Sequence, residues 1–245
     1  MGAITVDSKI ETEMSLSWTA LEDPATGNSA IVSYNLYWDN ASGTTNIEVL
    51  DLLITSYTIT GLTGGETYVF KVRAYNIYGY GDFSAEHSEK ASDVPDQIVI
   101  ATTSIVGTDV VIDWVAPDNN FETILQYDIL FKKADGTYVN DEVNCDGSVA
   151  SGTTCIIPMT DMITLTGLSQ GNLVVVRVAA ENVNGWEAYS QENIIGAVIE
   201  VPPAIATITY DVEASDNTQI IVLWDALTDF ETGGSPITGY DLQFD

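Results

Sequence analysis

Basic residues are nearly missing from this 245-residue chain: seven Lys+Arg stand against 36 Asp+Glu, for a net charge of −29. A surface of that sign repels phosphate backbones and anionic headgroups, so neither nucleic acid nor a membrane surface is an expected partner. The acidity reads either as a self-repelling soluble surface or as one balanced by cations in saline or extracellular surroundings. Histidine is reduced to His87, in AEHSEK, which is read as an exposed surface residue on a last strand. A single imidazole excludes Ser–His–Asp and Cys–His arrangements, and GLTGG has no Lys-Ser/Thr after it to make a phosphate loop. Carboxylates are too many for any pair to stand out. The chain is therefore expected not to be an enzyme.

Other absences narrow the class further. No run approaches the roughly 18 apolar residues of a membrane span. MGAITVDSKI has neither the basic nor the apolar region of a signal peptide, so the segment is expected to be mature and processed or cut from something longer. No window carries apolar residues at helical spacing between caps, and no helix is expected. Cysteine occurs twice, as Cys145 and Cys155.

Thr, Ile, Val and Tyr are abundant, and Gly, Asn and Asp punctuate them at short intervals. That pattern argues an all-β chain. Three stretches repeat: SLSWTALEDPATGNSAIVSYNLYWD (15–39), VIDWVAPDNNFETILQYDILFKK (111–133) and IVLWDALTDFETGGSPITGYDLQFD (221–245). Each is an alternating strand ending in Trp (Trp18, Trp114, Trp224), an acidic turn-rich loop, then a strand opening with Tyr (Tyr34, Tyr127, Tyr240). The period of about 100 residues is that of a domain. Met14, Leu16 and Trp18 share one face by period two, as do Val110, Ile112 and Trp114, and Ile220, Val222 and Trp224. GLTGGETYVFKVRAYNIYGYGDFS (61–84) aligns without a gap on GLSQGNLVVVRVAAENVNGWEAYS (167–190). Asn76 and Gly79 there match Asn182 and Gly185, types suited to a tight turn with positive φ.

These features resemble the fibronectin type III family. The strand-B Trp, the strand-C Tyr, the Leu62…Tyr68 pair placed like a tyrosine corner, and the VxAxNxxGxG run at 72–81 carry the resemblance. It implies immunoglobulin-like two-sheet β-sandwiches, two complete and one partial: residues 1–95, 96–201 and 202–245. The implied core positions are Trp18, Tyr34, Leu62, Tyr68, Trp114, Tyr127, Leu168, Trp224 and Tyr240. One departure is Val174, which stands where the corner Tyr of the second repeat belongs. The third repeat holds strands A to C only, so its other half is expected from continuing chain or a neighbouring subunit. ASDVPDQ (91–97) and EVPPAI (200–205) are short proline-stiffened linkers.

Cys145 and Cys155 fall in an insertion between strands C and E of the second repeat. Their spacing suits a closed loop, with a disulfide worth roughly 2–3 kcal/mol in an oxidising compartment. The other reading is two unlinked thiols in a cytosolic protein. Asn40-Ala41-Ser42 is a glycosylation sequon on a loop. Asp23, Asp93, Asp96, Asp118, Asp229 and Glu231 are weak candidates for Ca²⁺, without EF-hand spacing, and no other cofactor is expected. The leading expectation is a non-catalytic extracellular or cell-surface structural or adhesive protein, possibly a subunit of a filament or surface coat, self-associating or paired with neighbouring repeats. Alternatives are a receptor ectodomain, spacer modules of a secreted enzyme, or an intracellular scaffold.

Overall fold

A computed structural model describes the chain except residues 1, 44–46, 149–151, 201–207, 212, 217, 227–236, 238 and 244–245. The chain divides into two compact units. The first comprises Met1–Asp96 with the loops Pro117–Leu125 and Ala180–Glu187, and the second comprises the rest.

In the first unit β1 (Ile4–Ile10), β2 (Glu13–Trp18), β3 (Ile31–Trp38), β4 (Ile47–Leu52), β5 (Ser56–Thr60), β6 (Thr67–Asn76), β7 (Gly79–Tyr80) and β8 (His87–Lys90) form two sheets. One has the order β1-β2-β5; the other runs β4-β3-β6-β7, with β8 also on β6. Alternation decides which side chains face inward. Met14, Leu16 and Trp18 of β2 and Tyr68, Phe70, Val72 and Ala74 of β6 are all buried, and with Tyr34, Leu36 and Leu62 they make one apolar core. Truncating a side chain such as Phe70 to Ala in a core of this kind costs about 3–5 kcal/mol. Two tyrosine hydroxyls tie loops to that core. Tyr68 accepts from the Thr63 amide at 2.7 Å and Tyr34 from the Leu21 amide at 3.2 Å. His87 is half-buried rather than exposed, because it pairs with Phe70 on β6, and its Nε2 lies 3.6 Å from Glu89.

The second repeat follows the same plan with β9 (Thr102–Val106), β10 (Asp109–Asp113), β11 (Gln126–Lys132), β12 (Tyr138–Asn140), β13 (Thr154–Pro158), β14 (Val176–Asn182) and β15 (Gly185–Trp186), of which β15 and the last residues of β14 belong to the first unit. The sheets are β13-β10-β9 and β12-β11-β14-β15. Val110, Ile112, Trp114, Tyr127, Ile129 and Phe131 are buried, and Val174 is fully buried as an apolar residue without the corner hydroxyl. Leu168 is half-buried, not core, because it follows directly on a helix absent from the sequence-based expectation. That helix, α1 (Met159–Thr166), starts after Pro158 and closes at Gly167, whose φ is 68° and whose N–H bonds the Ile163 carbonyl. Two turns with Met159, Met162 and Thr166 inward are too few for a periodic signal.

The last strand of the second repeat is interrupted. Val174 N–H bonds the Ala197 carbonyl and Ser190 N–H bonds Val178, but Ile194 and Ile195 between them are 84% and 81% exposed. Buried Asn193 fills the gap in the ladder. Its Oδ1 accepts from the Val176 amide at 2.8 Å, and its Nδ2 donates to the Val174 carbonyl at 2.9 Å.

In the third repeat, β16 (Ile208–Tyr210) and β17 (Val222–Trp224) pair antiparallel. The Trp224 and Tyr240 rings meet edge-on at 5.7 Å. The expected inward residues are not in a core here: Ile220 is 77% exposed, Tyr240 43% and Leu242 39%, while Val222 and Trp224 are half-buried. Among the described residues no second sheet faces this pair, and two strands alone bury little. Residues 237–243 form no strand where described; Phe244 lies outside the described residues.

Candidate functional site

The most built feature outside the cores is a pair of loops in the first unit, 117–125 and 180–187, closed around residues 92–96. Asn residues carry it because a carboxamide offers both donor and acceptor. Asn182 Oδ1 accepts from the Asn184 amide at 2.8 Å, which shapes the turn, while its Nδ2 donates to the carbonyls of Asp93 and Asn119. Asn184 Nδ2 donates to Ser92 Oγ at 3.1 Å and to the Asp93 carbonyl at 2.8 Å. Asn120 Nδ2 reaches the Val94 carbonyl at 2.8 Å, and the Asp96 amide bonds the Asp118 carbonyl. Pro95 is buried there. The loops thus grip this segment mostly by its backbone, with the Ser92 hydroxyl and the Asp96 carboxylate as side-chain partners. Phe121 adds an apolar contact: its ring lies so close to Gly64 that a Cβ there would stand 2.3 Å from it.

Cations are few, and the structure engages them. Lys9 bonds Glu89 at 2.5 Å, Lys71 and Arg73 face Glu86 and Glu48, Lys90 faces Glu122, and Lys132 bonds Glu192. Arg73 also lies 3.8 Å over the Tyr80 ring and 4.9 Å from Phe83, and Arg177 lies 3.7 Å over Tyr138. Hydrogen bonds from Tyr138 and then Lys132 hold the Glu192 carboxyl below its ordinary range. Burial, reinforced by the hydrogen bond to Asp128, pushes the Tyr189 hydroxyl up to about 12. With the cations so occupied, most of the acidity is left uncompensated at the surface.

Cys145 and Cys155 are joined in a disulfide, with Cα atoms 5.2 Å apart. Cys155 lies on β13, while the segment after Cys145 runs along β11, where the Tyr127 amide bonds the Gly147 carbonyl at 2.8 Å. The bond therefore ties one sheet of the sandwich to the edge of the other. Only glycine fits at 147, because a Cβ would stand 2.0 Å from the Tyr127 carbonyl oxygen.

Asn40 is exposed in the turn after β3, beside buried Asp39, whose carboxylate accepts from the amides of Ala41, Gly43 and Val69. Asp93, Asp96 and Asp118 line one hollow of the first unit, of about 400 Å³, together with Glu11. Their carboxylates accept from Val94, Asn120 Nδ2 and the Asn120 amide respectively, and that of Asp23 from the Thr26 hydroxyl. Among the described residues no three His, Cys, Asp or Glu side chains group to hold an ion. Asp229 and Glu231 lie outside the described residues. Sequence reasoning passed over Asn120, Asn184, Asn193 and Phe121. The signal available was the density of Asn in PDNNFET and ENVNGW.

The Fibronectin type III domain model matches residues 2–90 and again 93–195. Among curated relatives, Protein sidekick-1 of Gallus gallus is 27% identical over 90% of this chain and 10% of its own length. Neogenin of Rattus norvegicus is 29% identical over 86% of this chain and 16% of its own. Ephrin type-B receptor 5 of Gallus gallus is 35% identical over 35% of this chain and 9% of its own. The chain thus spans about a tenth to a sixth of the length of these relatives. With tandem matches over most of its residues, the chain belongs to the fibronectin type III family.

Proposed function

We propose that this chain is a non-catalytic, extracellular binding segment that acts through protein–protein contacts, as an adhesive or structural part of a cell-surface or secreted protein. The observation that carries the reading is the Cys145–Cys155 bond across the second sandwich, since such bonds persist in oxidising compartments. A surface of net charge −29 suits a protein partner that brings its own cations. The reading needs no cofactor. Asn40, exposed on its turn, carries N-linked sugar in this setting.

The finer form of the proposal is a filament or surface fibre in which further strands, from a neighbouring repeat or a second copy, cover Ile208, Tyr210, Ile220 and Leu223. These side chains are 49–77% exposed. A second reading, a receptor ectodomain, is favoured by the 35% identity to Ephrin type-B receptor 5. Beads coated with the chain test the general form. They are expected to bind cells of the source, or one another, more than beads coated with an unrelated protein of equal charge. Equal binding would overturn it. Negative-stain microscopy of native material tests the filament: rods or fibres are expected, and globular particles at every concentration would contradict it.

A further inference from the structure

Asn184–Gly185 is the one Asn-Gly pair in the sequence. It lies in the turn that closes on residues 92–96: Val183 and Asn184 link β14 to β15, and Asn182 pairs with Gly185. The φ of 127° at Gly185 calls for glycine, so the turn itself requires the pair. Such a pair is chemically labile. Glycine has no Cβ to shield its nitrogen or restrict its φ, so that nitrogen is free to approach the carboxamide carbon of the preceding asparagine. The fold restrains the carboxamide of Asn184. Its Nδ2 donates to Ser92 Oγ at 3.1 Å and to the Asp93 carbonyl at 2.8 Å, and the Asn184 amide donates to Asn182 Oδ1 at 2.8 Å.

We infer that Asn184 is a site of spontaneous deamidation, restrained while the loops are closed on residues 92–96 and completed when they open. The Gly185 nitrogen bonds to Asn184 Cγ, the Cγ–Nδ2 bond breaks, and the proton of the Gly185 amide leaves with Nδ2 as ammonia. Water, the one co-reactant, then opens the cyclic imide to aspartate or, by attack at the other carbonyl, to isoaspartate. Neither product resumes the grip. Nδ2 is gone, and a carboxylate oxygen in its place meets the Asp93 carbonyl, acceptor against acceptor. The new charge also enters a hollow of about 550 Å³ that Asp7, Glu89, Asp93 and Glu122 already line. Lys9, the cation in that hollow, is engaged by Glu89 at 2.5 Å and by Ser92 Oγ at 3.3 Å. Isoaspartate further lengthens the backbone by one carbon in a two-residue turn. Opening and modification reinforce each other, and Asn184 acts as a one-way latch on residues 92–96.

The test keeps the full chain in warm, mildly alkaline buffer and follows it by peptide mass mapping. The peptide carrying Asn184 is expected to gain about 1 Da, as NH₂ is exchanged for OH, ahead of those carrying Asn120 and Asn193. Conversion is expected to run several-fold faster in chain unfolded by urea. Ser92→Ala removes one partner of Nδ2 and is expected to speed conversion of the folded chain about threefold, the factor for one hydrogen bond lost. The Asp96 amide, which bonds the Asp118 carbonyl, reports the grip by hydrogen exchange. It is expected to exchange faster both in converted chain and in Asn184→Asp. An Asn184 that stays intact while other asparagines convert would overturn the inference. So would equal rates in folded and unfolded chain, a rate unmoved by Ser92→Ala, or an Asp96 amide that conversion leaves unchanged.

Discussion

Asn193 shows how much one polar side chain does in a sandwich of this kind. It replaces ladder bonds at the point where Ile194 and Ile195 leave the strand, and it does so while 3% exposed. Asn193→Ala leaves the Val176 amide and the Val174 carbonyl without these partners, at a cost of about 1–3 kcal/mol. A lowered urea midpoint at unchanged slope checks this. Asn193→Ser is expected to recover part of the loss. Tyr189 makes a pH-dependent contribution. Its hydroxyl titrates near 12 in the folded chain against an ordinary 10, so the folded state favours the protonated form. The stabilisation is complete below pH 10 and is lost as pH rises through about 12. Tyr189→Phe is expected to flatten that alkaline loss, read as thermal midpoint against pH. The Trp–Tyr alternation that places Trp18, Tyr34, Trp114 and Tyr127 inside was legible, because period two maps directly onto one face of a sheet. The role of Asn193 was not, since no local rule distinguishes a buried Asn that patches a ladder from one in a turn.

Elements were legible where alternation was long and illegible where an insertion or a short turn of chain intervened. The ten residues of β6 alternate cleanly, whereas α1 has two turns and announces itself only through Pro158 and Gly167. The gripping loops were also hidden, because their bonds run between residues as far apart in sequence as 92 and 184. They make a prediction through Phe121. Gly64→Ala drives a methyl into its ring, and the expected cost is about 1–3 kcal/mol of stability in the first unit. Adding Phe121→Ala to that variant is expected to relieve the clash; a double variant no better than Gly64→Ala would place the effect elsewhere. The disulfide acts on a different element. Reducing it, or replacing both cysteines by Ser, is expected to lower stability by about 2–3 kcal/mol, the loop-entropy value for a ring of this size. Faster hydrogen exchange at the Tyr127 amide is expected with it, because the segment carrying Gly147 is then free to leave β11.

At the level of the whole molecule, sparse cations are each engaged by carboxylates or aromatic rings, and the net charge of −29 is left to face solvent and partners. Composition made that visible at once. The fold class was equally plain, because the same strand pattern returns at domain spacing. The extracellular reading depends on one covalent fact, the state of Cys145 and Cys155. The direct measurement is alkylation of freshly lysed or collected native protein in denaturant, followed by intact mass with and without prior reduction. The account predicts no adduct before reduction and two after it. Two adducts on protein that was never reduced would contradict an oxidising compartment, and with it the proposed place of this chain outside the cell.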